Sequence, residues 1–195
     1  EKSMYGKFFE KLVLGGVLHV LGFRVVEEED TSDSDRVFWL SSRGDKRESD
    51  ATALYQAGEG VRFDIGFIGG GNPEITLDKT SRFEREVEIK GESIYMGTII
   101  IVDTIGARSR IPRLAQEAGA SVVQMSASYW PRDLGGELAE IFEDYESPFE
   151  DLDEAEIDAY IKERMKTAPF HEILGTVAKA EEAEESDADA GDEAE

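Results

Sequence analysis

Apolar residues recur at helical spacing over the first twenty positions: Tyr5, Phe8, Phe9, Leu12, Val13, Leu14, Val17, Leu18 and Leu21. They predict one amphipathic helix over 4–21, capped by Gly22. FRVVEEE (23–29) and RVFWLSS (36–42) predict two short strands around an acidic loop. RESDATALYQAG (47–58) predicts a short helix ending at Gly58. VRFDIGFIGGGN (61–72) predicts a strand broken by three glycines. FEREVEIKG (83–91) predicts another strand, with Glu84, Glu86, Glu88 and Lys90 sharing one face. GTIIIVDT (97–104) is apolar throughout, as in a strand buried on both faces. SRIPRLAQEAG (109–119) predicts a helix with Ser109 as N-cap, and ASVVQMSA (120–127) a strand. Pro131 opens a helix to about Tyr145, and LDEAEIDAYIKERMK (152–166) predicts the last one.

This order predicts an α/β domain with a mixed β-sheet flanked by helices, spanning 1–175. Hairpins form its antiparallel part, and the 97–127 strand–helix–strand unit forms a parallel pair through a right-handed crossover. Residues 176–195 are rich in Ala, Glu and Asp and are expected to be a disordered acidic tail.

Charge changes the picture only in part. The net charge of −23 argues at first against a nucleic-acid partner. Yet 26 of the 44 acidic residues lie in 27–35, 134–158 and the stretch after Ala180. Segments 1–26 and 36–132 together hold 15 acids and 17 Lys and Arg, so the body is near neutral. There are no cysteines, which excludes disulfides and thiolate metal sites and fits a cytoplasmic location. No apolar run is long enough to span a bilayer, so no membrane partner is expected. GGGN (69–72) leads to no GK[ST], so it is not a P-loop and no nucleotide cofactor is expected.

The chemistry is carried by carboxylates. In VRFDIGFI the apolar face is Phe63, Ile65 and Phe67, with Asp64 opposite. If this strand pairs with 83–91, Asp64 and Glu88 project from one face of neighbouring strands about 4.8 Å apart. Carboxylates that close repel unless a cation lies between them, and Mg²⁺ takes such oxygen ligands. Lys90 is two residues beyond Glu88 on the same face and can meet a water or phosphate oxygen. The alternative is a solvated strand face, where alternating Glu and Lys is common and of little energetic consequence. Glu10 falls on the helix stripe of Val13, Leu14, Val17 and Leu21. It is either an accessory ligand at the sheet edge or the partner of Lys7 one turn away. Lys79, Arg82 and Arg110 are candidate phosphate contacts, or partners of the abundant acids. His19 lies on the other side of its helix from Glu10 and is read as structural.

Gly6-Lys7-Phe8-Phe9-Glu10 followed by Leu21-Gly22-Phe23 resembles the first helix of PD-(D/E)XK nucleases. Asp64 with Glu88-Ile89-Lys90 resembles their catalytic signature, although Phe63 rather than Pro precedes the Asp. The block from Arg47 to Arg85 resembles type II restriction endonucleases of the CfrBI-like family. The resemblance implies Mg²⁺ held by Asp64, Glu88 and the Ile89 carbonyl, Lys90 as catalytic lysine and Glu10 as accessory acid. It implies a site between the strands flanking GNPEITLDKTSR, with Glu74 and Asp78 as further candidates. The expected activity is site-specific hydrolysis of double-stranded DNA by a homodimer, since a palindrome needs two sites related by two-fold symmetry. Two alternatives stay open: a Holliday-junction resolvase or repair nuclease of the same superfamily, and a non-catalytic acidic DNA mimic or interaction protein.

Overall fold

The computed structural model describes residues 4–27, 35–40, 49–56, 58–66, 86–89, 92–117, 119–127 and 129–175. The first helix, α1, is Met4–Val20. Gly22, in the left-handed region at φ 94°, turns the chain into β1 (Arg24–Val25). That conformation suits glycine, which has no Cβ to clash. Strands β2 (Val37–Leu40), β3 (Ala51–Gln56) and β4 (Glu59–Gly66) follow. Then come β5 (Glu86–Ile89), β6 (Glu92–Val102), α2 (Ile111–Glu117), β7 (Ser121–Gln124), α3 (Trp130–Ile141) and α4 (Glu154–Lys166).

The seven strands form one mixed sheet in the order β1-β2-β3-β4-β6-β5, with β7 also on β6. β1 is parallel to β2, and β2, β3 and β4 form an antiparallel meander. β7 runs parallel to β6, as the apolar strand–helix–strand pattern predicts, and β4 also runs parallel to β6. β5 folds back as a hairpin arm along the first residues of β6.

The segment 47–58 is not a helix. Ala51, Ala53 and Tyr55 turn into the main core while Thr52 and Leu54 face the other way, which is strand alternation. Gly58, at φ 83°, supplies the hairpin turn into β4. Four residues, Ala51 to Leu54, fixed by ladders on both edges win over a helix too short to nucleate alone.

The sheet separates two apolar layers. One face buries Phe38, Phe63, Ile65, Ile99, Ile101 and Val123 under α1, α3 and α4. The other face holds Val37, Trp39, Leu54 and Met96, and beside them Ile100 and Val102 under Ala115 of α2. Tyr145 Oη donates to Leu21 O at 3.0 Å and Tyr55 Oη to Asp144 O at 2.6 Å, pinning the stretch after α3 beneath α1. α4 begins with a full capping box, in which Asp153 accepts from Ala155 N and Glu156 N and Glu156 accepts from Asp153 N. Residues 176–195 lie outside the described residues. No helix among the described residues is long and apolar enough to cross a membrane.

Candidate functional site

Burying a charge is costly unless it is paired, so buried charges mark places where something other than core packing is at stake. Among the described residues, six polar or charged side chains are buried: Glu10, Lys11, Ser49, Asp50, Thr52 and Asp64. Four of them stand where β3 begins and β4 ends.

Asp64 lies near the end of β4, with Ile100 as its register partner on β6. It alternates with Phe63 and Ile65 and therefore takes the face covered by α2. Asp50 immediately precedes β3. Its N–H donates to Phe63 O at 2.9 Å, and its Oδ2 accepts the Ile65 N–H at 2.8 Å. Ala51↔Phe63 is the last pair of the β3–β4 ladder. Asp50, one residue beyond it, thus binds the backbone of Phe63 and Ile65, the two neighbours of Asp64. The Ser49 and Thr52 hydroxyls, 3.2 Å apart, brace the same turn.

Two further groups converge on this end of the sheet. α1 passes directly into β1 and touches β1, β2 and β4, so its first half overlies their carboxyl ends. Glu10 and Lys11 belong to that half and are both buried. They approach from the layer opposite α2. Arg110 immediately precedes α2 and is exposed. α2 follows the carboxyl end of β6, and that strand runs parallel to β4, so Arg110 lies toward the Asp64 end and face. Ligands of open α/β sheets bind at carboxyl strand ends of this kind.

The expected pairing of Asp64 with Glu88 does not form. β6 lies between β4 and β5. Asp64 pairs with Ile100 and Glu88 with Ser93, which are seven residues apart along β6. That separation is roughly 23 Å at 3.3 Å per residue. The cause is β6 itself, an uninterrupted strand from Glu92 to Val102 whose apolar second half takes the long edge of β4. The charged 86–89 stretch is left with the first four rungs. Ile89 sits at the hairpin turn opposite Glu92. Lys79, Arg82 and Lys90 lie outside the described residues, as do Glu74 and Asp78.

Asp50 and Lys11 were not singled out from sequence. Asp50 was hidden inside the segment misread as a helix. Read as a strand, SDATALYQ places an acid at the start of a hairpin whose second strand ends in Asp64. Lys11 stands three residues before Leu14 and seven before Leu18 and so lies on the core stripe of α1, a signal that was available.

A family model described as CfrBI restriction endonuclease matches residues 1–110. Over 130 residues, 67% of its length, the chain is 49% identical to the type II restriction enzyme CfrBI of Citrobacter freundii. It spans only 36% of that relative's length. No solved structure matches it. The buried acids at the carboxyl end of β4 thus belong to a chain that is a member of the CfrBI restriction endonuclease family.

Proposed function

We propose that this chain hydrolyses phosphodiester bonds of double-stranded DNA at a specific sequence, using Mg²⁺ held by Asp50 and Asp64. The observation that carries the reading is two buried carboxylates at one corner of the β3–β4 hairpin, with Asp50 bonded to the backbone of both neighbours of Asp64. The donor set fits a hard divalent cation. Mg²⁺ binds through one or two carboxylates and keeps several waters. Among the described residues no group of three or more His, Cys, Asp and Glu is placed to hold a metal.

When bound, the cation supplies Lewis-acid polarisation of the scissile phosphate and a more acidic water. The protein groups do the rest. The Ile65 N–H fixes the Asp50 carboxylate, so one ligand is oriented before any metal arrives. Glu10 serves as the accessory acid from the α1 side. Arg110 grips a backbone phosphate, and Lys79 and Arg82 add contacts of the same sequence-independent kind. A homodimer supplies the second site for the second strand, and the cytoplasm is the compartment that fits a DNA substrate. Glu88 and Ile89, the other two expected ligands, register with Ser93 and Glu92 on β6, away from Asp64 at Ile100.

Plasmid cleavage with and without Mg²⁺, on the chain and on Asp64→Asn, tests the reading. Discrete fragments that require both Mg²⁺ and Asp64 are expected. Cleavage confined to branched DNA would make the chain a resolvase or repair enzyme. No cleavage would leave the acidic DNA-mimic reading standing.

A further inference from the structure

We propose that Lys11 provides the cation of the active site, its ammonium set against the negative charge that builds on the scissile phosphate. The inference rests on Asp50 and Asp64 being the metal-binding pair. Its ground is that Lys11 is the only Lys or Arg buried among the described residues, with 6% of its surface exposed. A lysine so placed needs counter-charges close by. The buried acids available among the described residues are Glu10, Asp50 and Asp64, all toward the carboxyl end of β4.

β4 supplies no such cation beyond its acid. The residue two places past Asp64, on the same face, is Gly66. Arg62, two places before it, is less buried and registers with Thr52 and Thr98, further back into the sheet. α1 therefore delivers the ammonium that β4 lacks. A compact ammonium on a four-carbon stem suits this reach from the helix layer to the strand end. Preorganised charge of this kind acts on the transition state because it needs no reorganisation as the reaction proceeds.

The chain contains no cysteine, which permits a direct chemical test. In the Lys11→Cys variant the new thiol is unique. Aminoethylation with 2-bromoethylamine on the unfolded chain, followed by refolding, restores an ammonium one atom type away from lysine. Carbamidomethylation with iodoacetamide restores comparable bulk without charge. Single-turnover cleavage at saturating Mg²⁺ is compared with binding of Tb³⁺ as a luminescent probe. Relative to the parent chain, the carbamidomethyl form should cut roughly 10²–10³-fold more slowly. It should still bind Tb³⁺, because the carboxylates are untouched. The aminoethyl form should recover most of the rate. Equal rates in the two alkylated forms would overturn the role of Lys11 and leave the carboxylate pair intact. Tb³⁺ binding unaffected by Asp64→Asn would instead overturn the carboxylate reading.

Discussion

Ile65 donates its backbone N–H to Asp50 Oδ2 at 2.8 Å, so an acid of the candidate site also closes the β3–β4 ladder. The two roles separate by mutation. Asp50→Ala removes the acceptor and leaves a buried N–H at Ile65, a loss of about 1–3 kcal/mol. Asp50→Asn keeps a carbonyl oxygen there and removes only the charge. Urea unfolding should therefore show a clear drop for the alanine variant and a small change for asparagine. Cleavage should vanish in both. An Asp50→Asn enzyme that cuts at the parent rate would reduce Asp50 to a structural acceptor.

How much of this was legible beforehand depended on which interaction decided each segment. The α1 stripe, Gly22, Gly119 and the apolar run of β6 were readable because burial on one stripe or both faces leaves a local mark. Ser109 was readable too, and its hydroxyl accepts the Ile111 N–H at 3.2 Å. β3 was not, because Ala, Leu and Gln favour helix locally and only the neighbouring strands make it extended. The expected pairing of β4 with β5 failed for the same reason. That Asp64 faces away from Phe63 and Ile65 is a local signal. Which strand lies beside β4 is set by competition among distant segments. Residues 67–85 and 176–195 lie outside the described residues, so the expectations there have no structural counterpart.

Two glycines offer a contrast in packing. A Cβ at Gly60 would meet Met96 Sδ at 2.6 Å, Leu54 Cδ2 at 2.9 Å and the Ala53 carbonyl oxygen at 3.2 Å. Gly60→Ala should destabilise the β3–β4 hairpin by roughly 1–3 kcal/mol, the usual result of overpacking. Gly136 lies exposed inside α3, with open space around its Cβ direction. Gly136→Ala should stabilise the chain by about 0.5–1 kcal/mol. Thermal melts of the two variants should shift in opposite directions, and shifts of the same sign would contradict the packing described.

The junction of α1 and α4 carries a pH dependence. Arg164 Nη2 donates to His19 O at 3.1 Å, docking α4 on the last turn of α1. Burial lowers the His19 pKa, and the nearby Arg164 charge lowers it further. A histidine kept neutral in the fold leaves stability intact above its unfolded value, about 6.5. As pH falls below that value the unfolded chain takes up the proton first, and stability is lost. Removing the histidine should remove this component. Urea midpoints at pH 7.5 and 5.5 should therefore differ in a more acid-sensitive sense for the parent than for His19→Gln. Identical pH responses would show that His19 contributes nothing in this window.

The sharpest test sets Asp64 against Glu88. Both are strand acids on a sheet, and either is chemically able to hold Mg²⁺. They cannot share one ion, since their rungs on β6 are seven residues apart and β6 itself stands between their strands. The choice falls to the surroundings. Asp64 is buried, lies between the two residues whose backbone Asp50 binds, and shares its end of the sheet with Glu10 and Lys11. Glu88 sits on a four-residue hairpin arm that pairs with β6 alone. Asp64→Asn should abolish single-turnover cleavage and weaken Tb³⁺ binding. Glu88→Gln should leave the rate within a few-fold of the parent and Tb³⁺ binding unchanged. Lys90→Met should behave like Glu88→Gln, because on this reading Lys11 supplies the cation of the site. If Glu88→Gln and Lys90→Met lose cleavage while Asp50→Asn keeps it, the metal belongs on the β5 hairpin, and the acids at the end of β4 are structural.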